Sequence, residues 1–284
     1  MTAGTAGLTL FSALSKIYNA GEATAITSMV IDFVMEETPV LDKKNKNYAL
    51  NTRQEIFLEQ ALVELLKFKP VQQVIGRAFF YKEFFQVNEH VLIPRPETEE
   101  LVDKIIKEEK GSHQLQILDV GTGSGCIAIS LQKNLSSASV TGIDVSVEAL
   151  EVARNNGIKL KCKVDWKQLN FLDENEWAVL NIYDVIVSNP PYIPEKEKSG
   201  MEVNVVMHEP SLALFTPDND PFIFYKKIAD FANGHLSEEG KIYVEVHRDY
   251  AQQTAALFAR QNFEALIEKD MSGNDRFVTV TRYR

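Results

Sequence analysis

The feature that most restricts this chain is a short apolar run, Ile117-Leu118-Asp119-Val120, that breaks directly into Gly121-Thr122-Gly123-Ser124-Gly125 and then into a helix-forming stretch. Such a junction belongs to open α/β sheets, whose ligands bind outside the carboxyl ends of parallel strands. Glycines close the turn tightly and let a ligand approach the backbone without a Cβ in the way. The surrounding pattern agrees. Residues 115–120, 139–144, 182–188 and 241–246 read as strands, and residues 124–133 and 147–156 as helices between them. Short apolar strands alternating with amphipathic helices predict a parallel α/β sheet. Residues 263–284 read as two strands joined by Ser272-Gly273-Asn274-Asp275, an antiparallel hairpin on the sheet edge.

The part before this sheet has another texture. Leu10, Leu14, Ile17 and Tyr18 repeat at helical spacing, residues 27–34 continue the pattern, and Leu58, Ala61, Leu62, Leu65 and Leu66 form a cleaner stripe. Pro39 and the polar run 42–47 break these helices. Residues 1–76 therefore read as a small helical bundle suited to recognising a partner. Residues 77–93, rich in Phe, Tyr and Val, read as a β-hairpin linker. Residues 94–284 form the α/β domain, opening after Pro94-Arg95-Pro96 with a helix near Glu97.

Charge narrows the partner. The formal net charge is −10, of which residues 94–284 carry −9 and residues 1–93 only −1. Duplex-binding proteins show a basic footprint, because neutralising phosphates supplies much of their affinity; nucleic acid is not the expected partner. No stretch approaches the roughly 18 apolar residues of a membrane span, and the first residues lack a secretory pattern. Cys126 and Cys162 read as reduced thiols of a cytoplasmic protein. His90, His113, His208, His235 and His247 are scattered, so no metal site is expected.

The glycine spacing is G-x-G-x-G rather than the G-x-G-x-x-G of dinucleotide sites. Asp144 ends the next strand, 19 residues beyond Gly125. A carboxylate there can accept hydrogen bonds from both hydroxyls of a ribose. The ligand is expected to be a nucleoside, and S-adenosylmethionine fits better than NAD.

The strand 182–188 runs into Asn189-Pro190-Pro191-Tyr192. Consecutive prolines fix φ and remove two backbone donors, which leaves a stiff loop. The Asn189 side-chain oxygen and the Pro190 carbonyl can each accept one N–H of a planar amide or amino group, and Tyr192 offers a face to stack on it. Such a nitrogen is a poor nucleophile because its lone pair is delocalised; two acceptors on its N–H groups take up positive charge as it develops. Asn189, Pro190 and Tyr192 are therefore the expected catalytic residues.

With these motifs in hand, the sequence resembles the HemK family of protein-(glutamine-N5) methyltransferases. The resemblance runs through Pro70-Val71-Gln72-Gln73-Val74-Ile75-Gly76, Val91-Leu92-Ile93-Pro94-Arg95-Pro96-Glu97-Thr98-Glu99, the glycine loop from Ile117, Asn189-Pro190-Pro191-Tyr192-Ile193-Pro194, Glu209-Pro210 and Gly273-Asn274-Asp275-Arg276. It implies a Rossmann-like class I methyltransferase sheet and methylation of the Gly-Gly-Gln glutamine of peptide chain release factors. By position it implies that Asp119, Gly121, Thr122, Gly123, Ser124, Gly125, Asp144, Asn170, Phe171 and Asn189 bind S-adenosylmethionine. Asn189, Pro190, Pro191 and Tyr192 would hold the glutamine amide. Phe171, after a strand at 164–168, would flank the adenine, with Asn170 near its amino group. Gln73 stands where the family usually has Tyr, Asn170 where Asp is usual, and His247 where Gly is common.

Other readings compete. A methyltransferase acting on adenine N6 or another base amino group would target a nitrogen of the same geometry, but flipping a base calls for a basic channel. A nucleoside-binding module without activity and an NAD enzyme are further alternatives. Cys126 opens the helix after the glycine loop, where a thiol pKa can fall, yet a packed thiol is the expected role. Arg95 is expected to face the site or the partner, or to sit in a surface ion pair, and Lys196 and Lys198 on a partner or on a solvated lid at 195–207. A monomer is expected.

Overall fold

The computed structural model describes every residue except Glu37, Val40, Leu41, His113 and Arg284. The expectation for His113 and for the last residue of the tail thus lies outside the described residues. The chain folds as two compact units. One comprises Met1–Arg77 and Glu202–His208, the other Ala78–Met201 and Glu209–Arg284.

The first unit is built from α1 (Ala3–Leu14), α2 (Ala20–Met35), α3 (Thr52–Leu65) and the single turn α4 (Val71–Val74). Each long helix starts at a side-chain cap: Thr2 accepts the Thr5 N–H, Asn19 the Glu22 N–H, and Asn51 forms a reciprocal capping box with Gln54. A cap contributes about 1 kcal/mol, while one buried leucine contributes about 2 kcal/mol. The shared core of Leu10, Leu14, Val30, Leu58 and Leu65 therefore outweighs the caps. The sequence stripe overshoots at its first end. Helix α1 stops at Leu14, Ile17 is exposed, and Tyr18 instead donates its hydroxyl to the Leu65 carbonyl at 3.1 Å. Gln73 Nε2 donates to the His208 carbonyl at 2.9 Å, and His208 Nε2 donates to the Lys67 carbonyl at 2.9 Å, which ties 202–208 to this unit.

The second unit opens inside a hairpin of β1 (Arg77–Phe80, of which Arg77 belongs to the first unit) and β2 (Glu83–Gln86), turned by Tyr81 and Lys82 at positive φ. Strand pairing stops at Gln86, and residues 87–93 continue outside any strand. There follow α5 (Pro96–Glu108), β3 (Gln116–Val120), α6 (Cys126–Asn134), β4 (Ser139–Asp144), α7 (Val147–Lys159), β5 (Asp165–Gln168) and β6 (Tyr183–Ser188). Next come β7 (Ile193–Pro194), α8 (Val203–His208, in the first unit), α9 (Ser211–Leu214), β8 (Phe215–Thr216) and α10 (Ile223–His235). The chain ends with β9 (Leu236–Glu245), α11 (Ala251–Ala259), β10 (Phe263–Lys269) and β11 (Asp275–Arg282).

Seven strands form one sheet in the order β10-β11-β9-β6-β3-β4-β5. Strands β5, β4, β3, β6 and β9 are parallel, and β11 and β10 close the edge as the antiparallel hairpin read from the sequence. Alternation along the strands feeds two cores. Leu118, Val120 and Ile186 pack with Phe231 of α10 and Phe258 of α11. Ile117, Val185 and Val187 pack with Leu101 of α5, Ile127 of α6 and the hairpin rings of Phe80 and Phe85. The chain order reverses at β3, whose successors β4 and β5 lie on one side and β6 on the other, so the ends of β3 and β6 border the expected ligand crevice.

Candidate active site

The last residues of β3 and β6 stand opposite one another, Val120 against Ser188, and Ser188 Oγ donates to the Val120 carbonyl at 2.7 Å. The two loops that follow, the glycine loop and Asn-Pro-Pro-Tyr, therefore leave the sheet side by side. They border a cavity of about 450 Å³, a size suited to a small-molecule ligand.

On one side of this cavity the glycine loop folds over the end of β4. Gly121 N–H and Thr122 N–H both donate to the Ile143 carbonyl at 3.0 and 2.9 Å. Gly121 and Gly123 have φ of +72° and +53°, both line the cavity, and the space where a Cβ would stand is open at each. Gly125 is different. It is absent from the cavity wall, has φ +78°, and a Cβ there would meet the Trp166 ring at 2.8 Å, so its role is close packing.

Two aspartates hold the loop from opposite sides. Asp144 lines the cavity; its Oδ2 accepts the Gly123 N–H at 2.9 Å and its Oδ1 the Ser146 N–H at 3.0 Å. Burial raises its pKa, against the pull of those N–H groups. Asp119 is fully buried and is not part of the wall. Its Oδ2 accepts the Thr122 hydroxyl at 2.6 Å and the Ala128 N–H at 3.2 Å, while Oδ1 is buried without a partner. Burial pushes its pKa up to about 7, the Asp144 charge adding to the rise. Asp119 thus braces the loop through Thr122 and Ala128 from off the cavity wall.

Ser124 and Cys126 also reach the wall. Burial raises the Cys126 thiol to about 12, so it is the packed residue expected and not an activated nucleophile. Farther round, Asn170 and Phe171 complete the wall. The Asn170 Oδ1 accepts the Leu172 N–H at 3.2 Å, and the Phe171 ring packs in the core against Trp177 and Phe231. Arg95 lines the cavity, and its ion pair is not the surface one expected: it pairs with the buried Glu209 at 2.6 Å. The Glu209 side chain is almost completely buried and also accepts the Ile93 N–H.

The second loop brings Asn189 and Pro191 to the wall; Pro190 is buried and Tyr192 lies outside the wall, its ring 6.1 Å from that of His247. Asn189 Nδ2 donates to Thr98 Oγ1 at 3.0 Å, and Thr98 Oγ1 donates to Glu245 Oε2 at 2.7 Å. The other carboxylate oxygen, Oε1, accepts the Tyr192 hydroxyl at 3.2 Å. Sequence reasoning singled out neither Thr98 nor Glu245 as functional, although Thr98 sits inside one of the motifs that carried the resemblance. Lys196 and Lys198 stand elsewhere: the Lys196 N–H donates to Asp218, and the Lys198 ammonium lies over the Phe215 ring at 5.3 Å.

Known proteins resemble this chain in the same region and beyond it. The methyltransferase small domain family matches residues 97–217. A release factor glutamine methyltransferase of Flavobacterium psychrophilum is 39% identical, over 94% of this chain and 95% of the relative. One of Bacteroides thetaiotaomicron is 41% identical, over 95% and 96%. Among solved structures, a methyltransferase from Pyrococcus furiosus superposes with a TM-score of 0.50 at 16% identity, over 81% of this chain and 98% of that one, a likeness of fold.

Proposed function

Because this chain belongs to the release factor glutamine methyltransferase family, we propose that it transfers a methyl group from S-adenosylmethionine to the side-chain amide nitrogen (N5) of the glutamine in the Gly-Gly-Gln loop of a peptide chain release factor. One observation supports the reading: Val120 and Ser188 stand in register, so the glycine loop and the Asn-Pro-Pro-Tyr loop border one cavity.

The cavity fits the methyl donor. Gly121 and Gly123 leave a cradle that any Cβ would fill, and Asp144 offers a carboxylate with lone pairs beyond those used by Gly123 and Ser146. Gly121, Gly123, Ser124, Asp144, Asn170 and Phe171 would hold it. When bound, S-adenosylmethionine supplies a methyl group already activated on a sulfonium. The protein's own task is to make an amide nitrogen react. Asn189 Oδ1 and the Pro190 carbonyl are the two acceptors for its N–H groups; among the described residues no protein donor occupies either. As the new N–C bond forms, positive charge develops on nitrogen, and preorganised oxygens stabilise it without reorganisation. Pro191, on the cavity wall, flanks the amide and holds it in line, and Tyr192, off the wall and fixed by its bond to Glu245, braces the loop.

The test is methyl transfer from a radiolabelled donor to a release factor, to the same factor with its Gly-Gly-Gln glutamine replaced, and to DNA and ribosomal RNA. Label is expected in the intact factor alone. Label in nucleic acid with none in the factor would instead assign a base amino group as the target.

A further inference from the structure

Asn189 can serve as an acceptor only if its carboxamide is turned the right way. The NH₂ and the oxygen of a carboxamide are nearly the same size, so packing alone does not choose between the two orientations. A hydrogen-bond chain chooses here. Glu245 ends β9, is 2% exposed, and as a carboxylate can only accept. Thr98, also 2% exposed, has one hydroxyl proton, and that proton is committed to Glu245 Oε2. The Thr98 oxygen can then only accept, and the one group of Asn189 able to donate is Nδ2, which sits 3.0 Å away. Oδ1 is thereby turned away from Thr98, on a residue that lines the cavity. The same carboxylate takes the Tyr192 hydroxyl on its other oxygen, so one buried group orients both polar side chains of the loop.

We infer that Glu245 and Thr98 are positioning residues that fix the polarity of the Asn189 carboxamide, so that the site presents an oxygen acceptor and selects a substrate bearing NH₂ over one bearing a carbonyl or carboxylate oxygen. This rests on the acceptor role of Asn189 proposed above. Burial raises the Glu245 pKa; the hydrogen bonds from Thr98 and Tyr192 and the charge of Arg276 draw it back toward the charged, acceptor-only form on which the chain depends. Without the Thr98 hydroxyl, the carboxamide is free to turn its NH₂ to the substrate nitrogen, where two donors would face each other.

Three substitutions and one spectroscopic readout test this. Thr98→Val keeps the shape and removes the hydroxyl; Thr98→Ser keeps the hydroxyl; Glu245→Gln removes one of the two acceptor oxygens. Thr98→Val is expected to lower kcat about 10- to 100-fold, and Glu245→Gln about tenfold, at the scale of lost preorganised dipoles. Thr98→Ser should stay within about threefold of the parent, and calorimetric affinity for S-adenosylhomocysteine should change by less than about threefold in all three. In an Asn189→Ala background, Thr98→Val should cost less than about twofold more, because the two act as one unit. The full chain labelled with ¹⁵N gives a readout that needs no substrate. The Asn189 NH₂ protons should be protected from exchange in the parent and in Thr98→Ser, and should exchange about tenfold faster in Thr98→Val. Unprotected Asn189 NH₂ protons in the parent, an unchanged kcat in Thr98→Val, or the full Thr98→Val loss persisting without Asn189 would each overturn the inference. A parent enzyme that methylates no release factor while its Asn189 NH₂ stays protected would overturn the proposed function and leave the polarity lock standing.

Discussion

The glycine loop after β3 is braced from within its own βαβ segment and the helix that follows, by Asp119, Ile143, Asp144 and Asn156, the loop after β6 by residues far from it. Asp119 reaches Thr122 across 3 positions and Ala128 across 9, whereas Asn189 reaches Thr98 across 91 and Tyr192 reaches Glu245 across 53. The difference follows from what each loop handles. A nucleoside is met by backbone and by one carboxylate, which a strand, a turn and the next strand supply together. An amide nitrogen must be met by side-chain and main-chain oxygens in one fixed polarity, and that polarity has to be imposed from the interior, where water cannot compete.

If this division holds, the most damaging single change lies in the second loop. Asn189→Ala removes one of the two acceptors and is expected to lower kcat by about 10²- to 10³-fold, as loss of a single preorganised dipole does elsewhere. Affinity for S-adenosylhomocysteine should hold within about threefold. Turnover unchanged from the parent would show that the carboxamide is not part of the chemistry.

Asp144→Ala probes the first loop and should have the opposite profile. It removes the carboxylate proposed to accept the ribose hydroxyls, and with it the partner of the Gly123 N–H. Hydrogen bonds to a charged group contribute about 1.5–3 kcal/mol each, so donor affinity should fall roughly 10- to 100-fold. At saturating donor, kcat should remain within about threefold of the parent. Calorimetry and saturation kinetics on the two variants separate the loops; a kcat loss in Asp144→Ala as deep as that in Asn189→Ala would erase the division.

The same contrast explains what could be read from the sequence. The strand at 139–144 matches β4 residue for residue, because apolar alternation and a terminal Asp are local marks. Strand β9 begins five residues before the sequence reading, at Leu236; the polar Ser237-Glu238-Glu239-Gly240 looks like a turn, but it is an irregular stretch between the pairings Tyr183 to Leu236 and Val185 to Lys241. Gly121, Gly123 and Asp144 were legible because a tight turn and a carboxylate at a strand end occupy fixed positions along one βαβ segment. Asp119, expected at the ligand, is fully buried and off the cavity wall, since strand alternation alone does not separate the wall from the layer behind it. Thr98, Glu209 and Glu245 were invisible as site residues for a different reason: only the closing of the sheet brings them beside residues dozens of positions away.

The mildest expected change lies under the first loop, at Asp119. Its folded pKa is about 7 because it is fully buried, while an aspartate in an unfolded chain titrates near 3.9. Between these values the folded state holds a proton that the unfolded state has released. Stability falls with rising pH wherever the folded state binds more protons. The contribution of Asp119 is thus complete below about pH 4 and is lost as pH rises through about 7. Asp119→Asn keeps an acceptor oxygen for Thr122 and Ala128, replaces the unpartnered buried Oδ1 by an uncharged group, and cannot titrate. Glu245 and Asp144, whose pKa values are also raised by burial, remain in both proteins, so the difference between parent and variant isolates Asp119. Thermal melts at pH 5 and pH 8 should show the parent losing more stability than the variant over that interval, with kcat at saturating donor changed by less than about threefold. Parallel pH slopes would mean that Asp119 is ionised throughout. The loop would then rest on a buried charge, and the short-range bracing that sets it apart from the Asn189 loop would be ionic rather than neutral.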